Sequence, residues 1–260
     1  VDNDLAETDH SLGFPSAAKY VVNTVKEIII DALCYKKGKV YIIEVMGRNA
    51  GWLTASVDLL PEGLRPDLIY LPEQKLDMED FLSRVHDLYE AKGNAIIAVS
   101  EGIEFERDMS NVKYDSFGHA QLGGAGAELA KIVESKFGYK IRAIELSLPQ
   151  RAYSFLTSKV DQKEALKCGS LAVKKAVGGM TGKMVAIKRV STNPYKVSYK
   201  TVNIKKIANV EQKVPTEWIK DQGHMSKEFK DYLFPLIQGE IKVQMEDGVI
   251  KSCVLKKIKA

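Results

Sequence analysis

Val40-Tyr41-Ile42-Ile43-Glu44-Val45-Met46-Gly47-Arg48 is the stretch on which the fold turns. Its first six residues are almost all β-branched or aromatic and show no polar alternation, the signature of a strand covered on both faces, as in a parallel sheet. Upstream, Ala18, Val21, Val22, Val25, Ile28, Ile29, Ala32 and Leu33 recur every three or four residues behind Pro15, which predicts an amphipathic helix over 15–33. Downstream the same alternation repeats. Strands are expected over 67–71, 94–99 and 140–146, and helices over 52–60, 78–91, 125–137 and 162–177. Strand alternating with helix implies βα crossovers, and so an α/β fold with a three-layer, mostly parallel sheet.

Beyond Gly178-Gly179 the pattern changes. Residues 183–190 and 195–204 read as a hairpin turned at Thr192-Asn193-Pro194, followed by short helical pieces over 216–221 and 226–236 and strand-like runs over 241–245 and 249–255. The expected organisation is a main domain over 1–190 and an appended α/β region over 191–260 that packs on it. Residues 101–124 have little apolar period and read as a functional or mobile loop.

With 260 residues, 45% of them hydrophobic, the chain can bury a full core, which excludes disordered, collagenous and disulfide-stapled classes. Cys34, Cys168 and Cys253 lack zinc or disulfide spacing, so a reducing, cytoplasmic setting is expected. No apolar run approaches the roughly 20 residues of a membrane span. Residues 1–150 carry 16 Lys+Arg against 24 Asp+Glu, whereas 151–260 carry 22 against 10. The later lysines are scattered with few aromatics between them, which reads as a solvated basic face and not as a nucleic-acid surface. His10, His86, His119 and His224 show no metal-ligand spacing.

In parallel α/β sheets ligands lie beyond the carboxyl ends of the strands. At the first such end Gly47 permits close backbone approach, the next helix start offers N–H groups and Arg48 offers a fork of donors; the group suits a phosphate or is simply a tight turn. At the second, Glu101 could accept hydrogen bonds from sugar hydroxyls or face water. Arg142 and Arg151 near the third fit an anionic ligand or surface ion pairs equally well. Asp2-Asn3-Asp4 places two carboxylates two residues apart, which could supply a general base and a metal partner or form a turn.

Taken together, Asp2-Asn3-Asp4-Leu5, Thr8-Asp9-His10, Gly13-Phe14-Pro15-Ser16-Ala17-Ala18, Glu44-Val45-Met46-Gly47-Arg48-Asn49-Ala50-Gly51-Trp52 and Pro149-Gln150-Arg151 resemble, in order, the motifs of the 6-phosphofructokinase family over residues 1 to about 190, and the tail resembles its longer bacterial, pyrophosphate-dependent type. The resemblance implies phosphoryl transfer from pyrophosphate, with Mg2+, to the 1-hydroxyl of fructose 6-phosphate. It gives Asp2 the role of general base and puts Asp4 beside the metal-bound phosphates. Met46, Gly47 and Arg48 would line the sugar-phosphate site, and Glu101 would bind sugar hydroxyls. Arg142, reaching in from a neighbouring subunit of a homodimer or homotetramer, and Arg151 would hold the 6-phosphate.

Two positions depart from the family pattern. Lys39 stands where short ATP-dependent members have a second subunit-crossing arginine, and Leu148-Pro149 where many members have a histidine. The family's Gly-Gly-Asp donor loop is expected upstream of Val1, so ATP as donor, or a non-catalytic sugar-phosphate-binding subunit, remain as alternatives.

Overall fold

The computed structural model describes residues 2–35, 38–106, 124–253 and 256–257. Most of the loop expected over 101–124 therefore lies outside the described residues, as does His119. The chain runs α1 (Phe14–Leu33), β1 (Val40–Val45), α2 (Trp52–Ala55), β2 (Leu68–Tyr70), α3 (Met78–Lys92), β3 (Ala95–Ser100), α4 (Ala125–Phe137), β4 (Ile141–Glu145), α5 (Pro149–Ala152), α6 (Lys159–Val177), β5 (Lys183–Thr192), β6 (Tyr195–Asn203), α7 (Lys227–Leu233), β7 (Met245–Glu246) and β8 (Val249–Ile250).

Strands β2-β3-β1-β4 form one sheet in that order, every neighbouring pair parallel. All six residues of β1 are buried because both faces are covered. Tyr41, Ile43 and Val45 enter a core with α1, Trp52 and the C-terminal Phe229, Leu233 and Leu236. Val40 and Ile42 enter a second core with Phe81 and Val85 of α3 and Leu129 and Val133 of α4. The period of two thus sorts side chains to opposite layers, and the expected three-layer α/β architecture is the one found.

Two buried carboxylates hold helix starts, one from the sheet and one from another helix. Glu44 leaves β1 among apolar neighbours and accepts the Gly124 and Gly126 N–H groups at 3.0 and 2.8 Å, where α4 begins. Gly126 leaves room for it: a Cβ there would stand 3.2 Å from Glu44 Cβ. Asp161 of α6 does the same for α1, accepting the Gly13 N–H at 2.9 Å and the Ser16 N–H at 3.2 Å. Negative charge at a helix start satisfies orphan donors and complements the dipole.

Some elements differ from expectation. The helix expected over 52–60 is one α turn, followed by a 3-10 turn over Ser56–Leu59. Asp58 within that turn is fully buried and gathers Arg65, His224, Lys230 and the Met225 N–H, so tertiary charge pairing shapes this segment. The strand expected over 241–245 is reduced to Met245–Glu246. Residues 216–221 contribute 3-10 turns instead of an α-helix. The hairpin of β5 and β6 is antiparallel with a bulge between Arg189 and Ser191, and residue 190 lies inside β5.

A polar network ties this hairpin to the start of the chain. His10, 1% exposed, lies 2.9 Å from Asp9 and 2.7 Å from Glu164. Arg189 pairs with Asp9 at 2.9 Å and stacks over the Tyr232 and Tyr195 rings at 4.5 and 5.1 Å. Burial disfavours the imidazolium, but the two carboxylates outweigh it and raise the His10 pKa above its ordinary 6.5. Burial likewise opposes the Asp9 charge, and hydrogen bonds from His10 and Arg189 outweigh it, lowering that pKa from 3.8.

The signs make a stability profile. The His10 contribution is whole below pH 6.5 and is lost as pH rises through its higher folded value; the Asp9 contribution is whole above pH 3.8 and is lost as pH falls through its lower one. Melting temperature should therefore decline on the alkaline side, and His10→Gln should flatten that decline in a pH series. An alkaline limb unchanged in the variant would contradict the pairing.

Candidate active site

The site is built at the carboxyl ends of β1 and β3, which are neighbours in the sheet. The Glu101 N–H donates to the Val45 carbonyl at 3.0 Å and the Gly102 N–H to the Gly47 carbonyl at 3.3 Å, so the two loops continue the pairing past the strands. The Gly47 backbone amide also favours the charged form of the Glu101 carboxylate. Gly47 has φ +153, and a Cβ there would come within 2.8 Å of the Ala50 carbonyl. Gly102 is tighter still, with a Cβ position only 1.7 Å from the Arg48 carbonyl oxygen.

The acidic segment reaches the same place through its middle residue. Asn3 is fully buried. Its Oδ1 accepts the Ser11 N–H and its Nδ2 donates to the Tyr232 hydroxyl, both at 2.8 Å. Asp2 and Asp4 on either side stay half-buried. A strap over residues 211–214 joins this segment to the β1 loop. The Gln212 N–H donates to the Asp4 carbonyl at 2.7 Å, while the Gln212 carbonyl accepts from the Trp52 indole at 2.8 Å. Glu211 accepts from the Asn49 side-chain amide.

The charges of these groups act on one another. Burial raises the Asp2 pKa above 3.8; Asp4 and Glu211 raise it further and Arg48 opposes them. Burial raises the Glu101 pKa above 4.5, with Asp2 and Glu44 adding to it and the Gly47 N–H and Arg48 resisting. Backbone bonds set Gly47 and Glu101 side by side, and Asp2, with Asp4 two residues on, lies within reach of the charges of Arg48 and Glu101.

Met46 joins them through its N–H, which donates to Gln150 Oε1 at 3.0 Å; Gln150 is buried and holds α5 against the end of β1, with Arg151 exposed beside it. Arg142 is not part of the group. It pairs with Tyr41 in register and stands exposed on the edge strand β4, three residues before Glu145, which is about 10 Å at the rise of a strand.

One expected contribution is corrected. The helix start after Met46-Gly47-Arg48 was expected to offer N–H groups to a phosphate, but α2 is four residues long and Glu73 already takes the Gly51 N–H at 2.9 Å. Glu73 also takes the Val214 N–H at 3.0 Å, so its role is to fasten the strap. Sequence reasoning missed Glu211, Gln212 and Tyr232, which carry no motif. The partner role of Asn3 was missed as well.

Among the described residues no group of three His, Cys, Asp or Glu side chains could hold a metal by itself. A cavity of about 860 Å³ between the β5–β6 turn and α7 contains none of the site residues, and its Lys227 and Lys230 are engaged by Asp231 and Asp58.

Residues 1–197 match the family described as phosphofructokinase, and the chain belongs to that family. It is 38% identical over 267 residues to the pyrophosphate--fructose 6-phosphate 1-phosphotransferase of Halomonas elongata, covering 99% of this chain and 63% of that protein. It is 35% identical over 225 residues to a sulfofructose kinase of Alkalicoccus urumqiensis, covering 85% of this chain and 59% of the relative. The crystal structure of a pyrophosphate-dependent phosphofructokinase from Marinobacter aquaeolei superposes with a TM-score of 0.82 at 34% identity, over 99% of this chain and 64% of that one. The chain thus spans somewhat less than two thirds of the length of these relatives.

Proposed function

We propose that the chain supplies the acceptor side of an enzyme that transfers a phosphoryl group from pyrophosphate to the 1-hydroxyl of fructose 6-phosphate, giving fructose 1,6-bisphosphate in glycolysis, reversibly and in the cytoplasm. The observation that carries this reading is the convergence of Asp2, Asp4, Arg48 and Glu101 on the ends of β1 and β3. Pyrophosphate is favoured over ATP as donor by the relatives and the solved structure that bear that name.

In this reading Asp2 takes the proton of the 1-hydroxyl as it attacks. Burial and neighbouring charge make its carboxylate a stronger base than a free aspartate. Glu101, held by its own N–H on the Val45 carbonyl, accepts hydrogen bonds from sugar hydroxyls, and the Met46-Gly47-Arg48 loop lines the sugar phosphate. Arg151 holds the 6-phosphate. Arg142 serves the site of a neighbouring copy, which its exposed place on the edge strand supports and which requires a homodimer or homotetramer.

The donor set fits Mg2+ bound through substrate. Asp4 and Glu211 add negative charge at Asp2, and Asp2 adds it at Glu101, with Arg48 as the opposing cation at both, a field that would repel a polyanion without a further cation. Mg2+ needs only one or two carboxylates when phosphate oxygens and waters complete its shell, and Asp4 would supply one. When bound, it would neutralise charge on the transferring phosphates.

Calorimetry of the complete protein with fructose 6-phosphate should show one site per chain, followed by turnover once pyrophosphate and Mg2+ are added. Binding without turnover from either donor would select the non-catalytic reading. Leu148-Pro149 removes a histidine that many members place beside a dianionic phosphate, and with the sulfofructose kinase relative this favours sulfofructose as a second acceptor to assay.

A further inference from the structure

Asn3 is the pivot of the acidic segment: it is 0% exposed, and both carboxylates assigned to chemistry are its immediate neighbours. Two hydrogen bonds hold its amide. One, from the Ser11 N–H, is local; the other runs to the Tyr232 hydroxyl, 229 residues away on α7. That hydroxyl has one proton, which it donates to the Asp9 carbonyl at 2.7 Å, so it is left to accept from Asn3. A single phenol therefore closes a ring through Asn3, Ser11 and Asp9.

The ring itself is immobilised. Tyr232 lies 5.5 Å from Trp52 and 5.8 Å from Trp218, with the Arg189 guanidinium 4.5 Å over its face. Arg189 also donates to the Tyr232 carbonyl at 2.9 Å and to Asp9 at 3.0 Å. The hydroxyl is thus held from the C-terminal region against a loop at the other end of the chain. None of the motifs read from the sequence includes it.

We propose that Tyr232 is a positioning residue for phosphoryl transfer, its hydroxyl fixing Asn3 so that Asp2 and Asp4 keep the placement the reaction needs. The proposal rests on the phosphotransferase reading of the same site. Without the hydroxyl, Asn3 Nδ2 has no acceptor in a place that water does not reach, and the loop must shift to satisfy it. A displacement of an ångström at a reacting group suffices to slow the chemical step substantially.

Tyr232→Phe retains the ring and its aromatic contacts and removes only the hydroxyl. In the complete protein, assayed with pyrophosphate, Mg2+ and fructose 6-phosphate, it should lower kcat by about tenfold and leave KM for fructose 6-phosphate within about twofold. Tyr195→Phe is the matched control. It removes a hydroxyl that donates to Glu164 at 2.9 Å in the same network but touches nothing in the acidic segment, so it should share the loss of melting temperature and keep kcat. Equal kcat in the two variants, or a fall in Tyr232→Phe no larger than its unfolded fraction, would overturn the positioning role. A wild-type protein inactive with both pyrophosphate and ATP would instead overturn the underlying reading.

Discussion

Replacing Asp2 by Ser in the complete protein is expected to lower kcat by roughly 10²- to 10⁴-fold, the range a positioned general base contributes. The fall should be in kcat and not in fructose 6-phosphate affinity, because Asp2 acts on a proton that moves only as the bond forms. The pH profile adds a second signature. The base works deprotonated, and burial together with Asp4 and Glu211 raises its pKa above 3.8, so activity should be lost as pH falls through that raised value. Glu101 is raised above 4.5 as well and could contribute to the same limb. The part that survives Glu101→Gln and vanishes in Asp2→Ser belongs to Asp2. Turnover unchanged in Asp2→Ser would remove the base from the mechanism.

Gly102→Ala is expected to be the most damaging single methyl group near the site. The added Cβ would sit 1.7 Å from the Arg48 carbonyl oxygen, with the Arg48 carbonyl carbon at 2.5 Å and its Cα at 2.8 Å. Those are backbone atoms that cannot rotate aside. The loop carrying Gly47 and Arg48 must move by more than an ångström, costing about 1–3 kcal/mol of stability and on the order of a hundredfold in kcat/KM. Gly169→Ala is the contrast: this glycine lies within α6 with nothing inside 4 Å of its Cβ position, so alanine should stabilise by about 0.5–1 kcal/mol. If the two variants had similar melting temperatures and similar kcat/KM, the apposition of the β1 and β3 loops would be refuted.

The sheet was legible because burial on both faces leaves an unmistakable trace. The continuous apolar run of β1 and its Gly-Arg ending could be placed at a ligand-facing edge from sequence alone. The α2 segment was not legible, since what curtails it is Asp58, whose partners Arg65, His224 and Lys230 arrive from elsewhere in the chain. The same reasoning divides the site. Asp2, Asp4, Arg48 and Glu101 lie in local patterns that, taken singly, fit a turn or a solvated side chain as well as chemistry, and only the ordered set of motifs, through its family resemblance, singled them out.

Glu211, Gln212 and Tyr232 are joined to those groups by topology and by the aromatic cluster around Trp52, and no local spacing records that. Arg142 was legible as a strand residue, but its position depends on register: opposite Tyr41, it stands well short of the edge where Arg151 stands.

The most direct test of the central claim follows phosphorus in the complete protein by 31P NMR with fructose 6-phosphate, Mg2+ and either pyrophosphate or ATP. The account predicts that pyrophosphate is consumed as fructose 1,6-bisphosphate and free phosphate appear, and that the same mixture is reached from fructose 1,6-bisphosphate and phosphate. Formation of fructose 1,6-bisphosphate with ATP alone, and none with pyrophosphate, would contradict it.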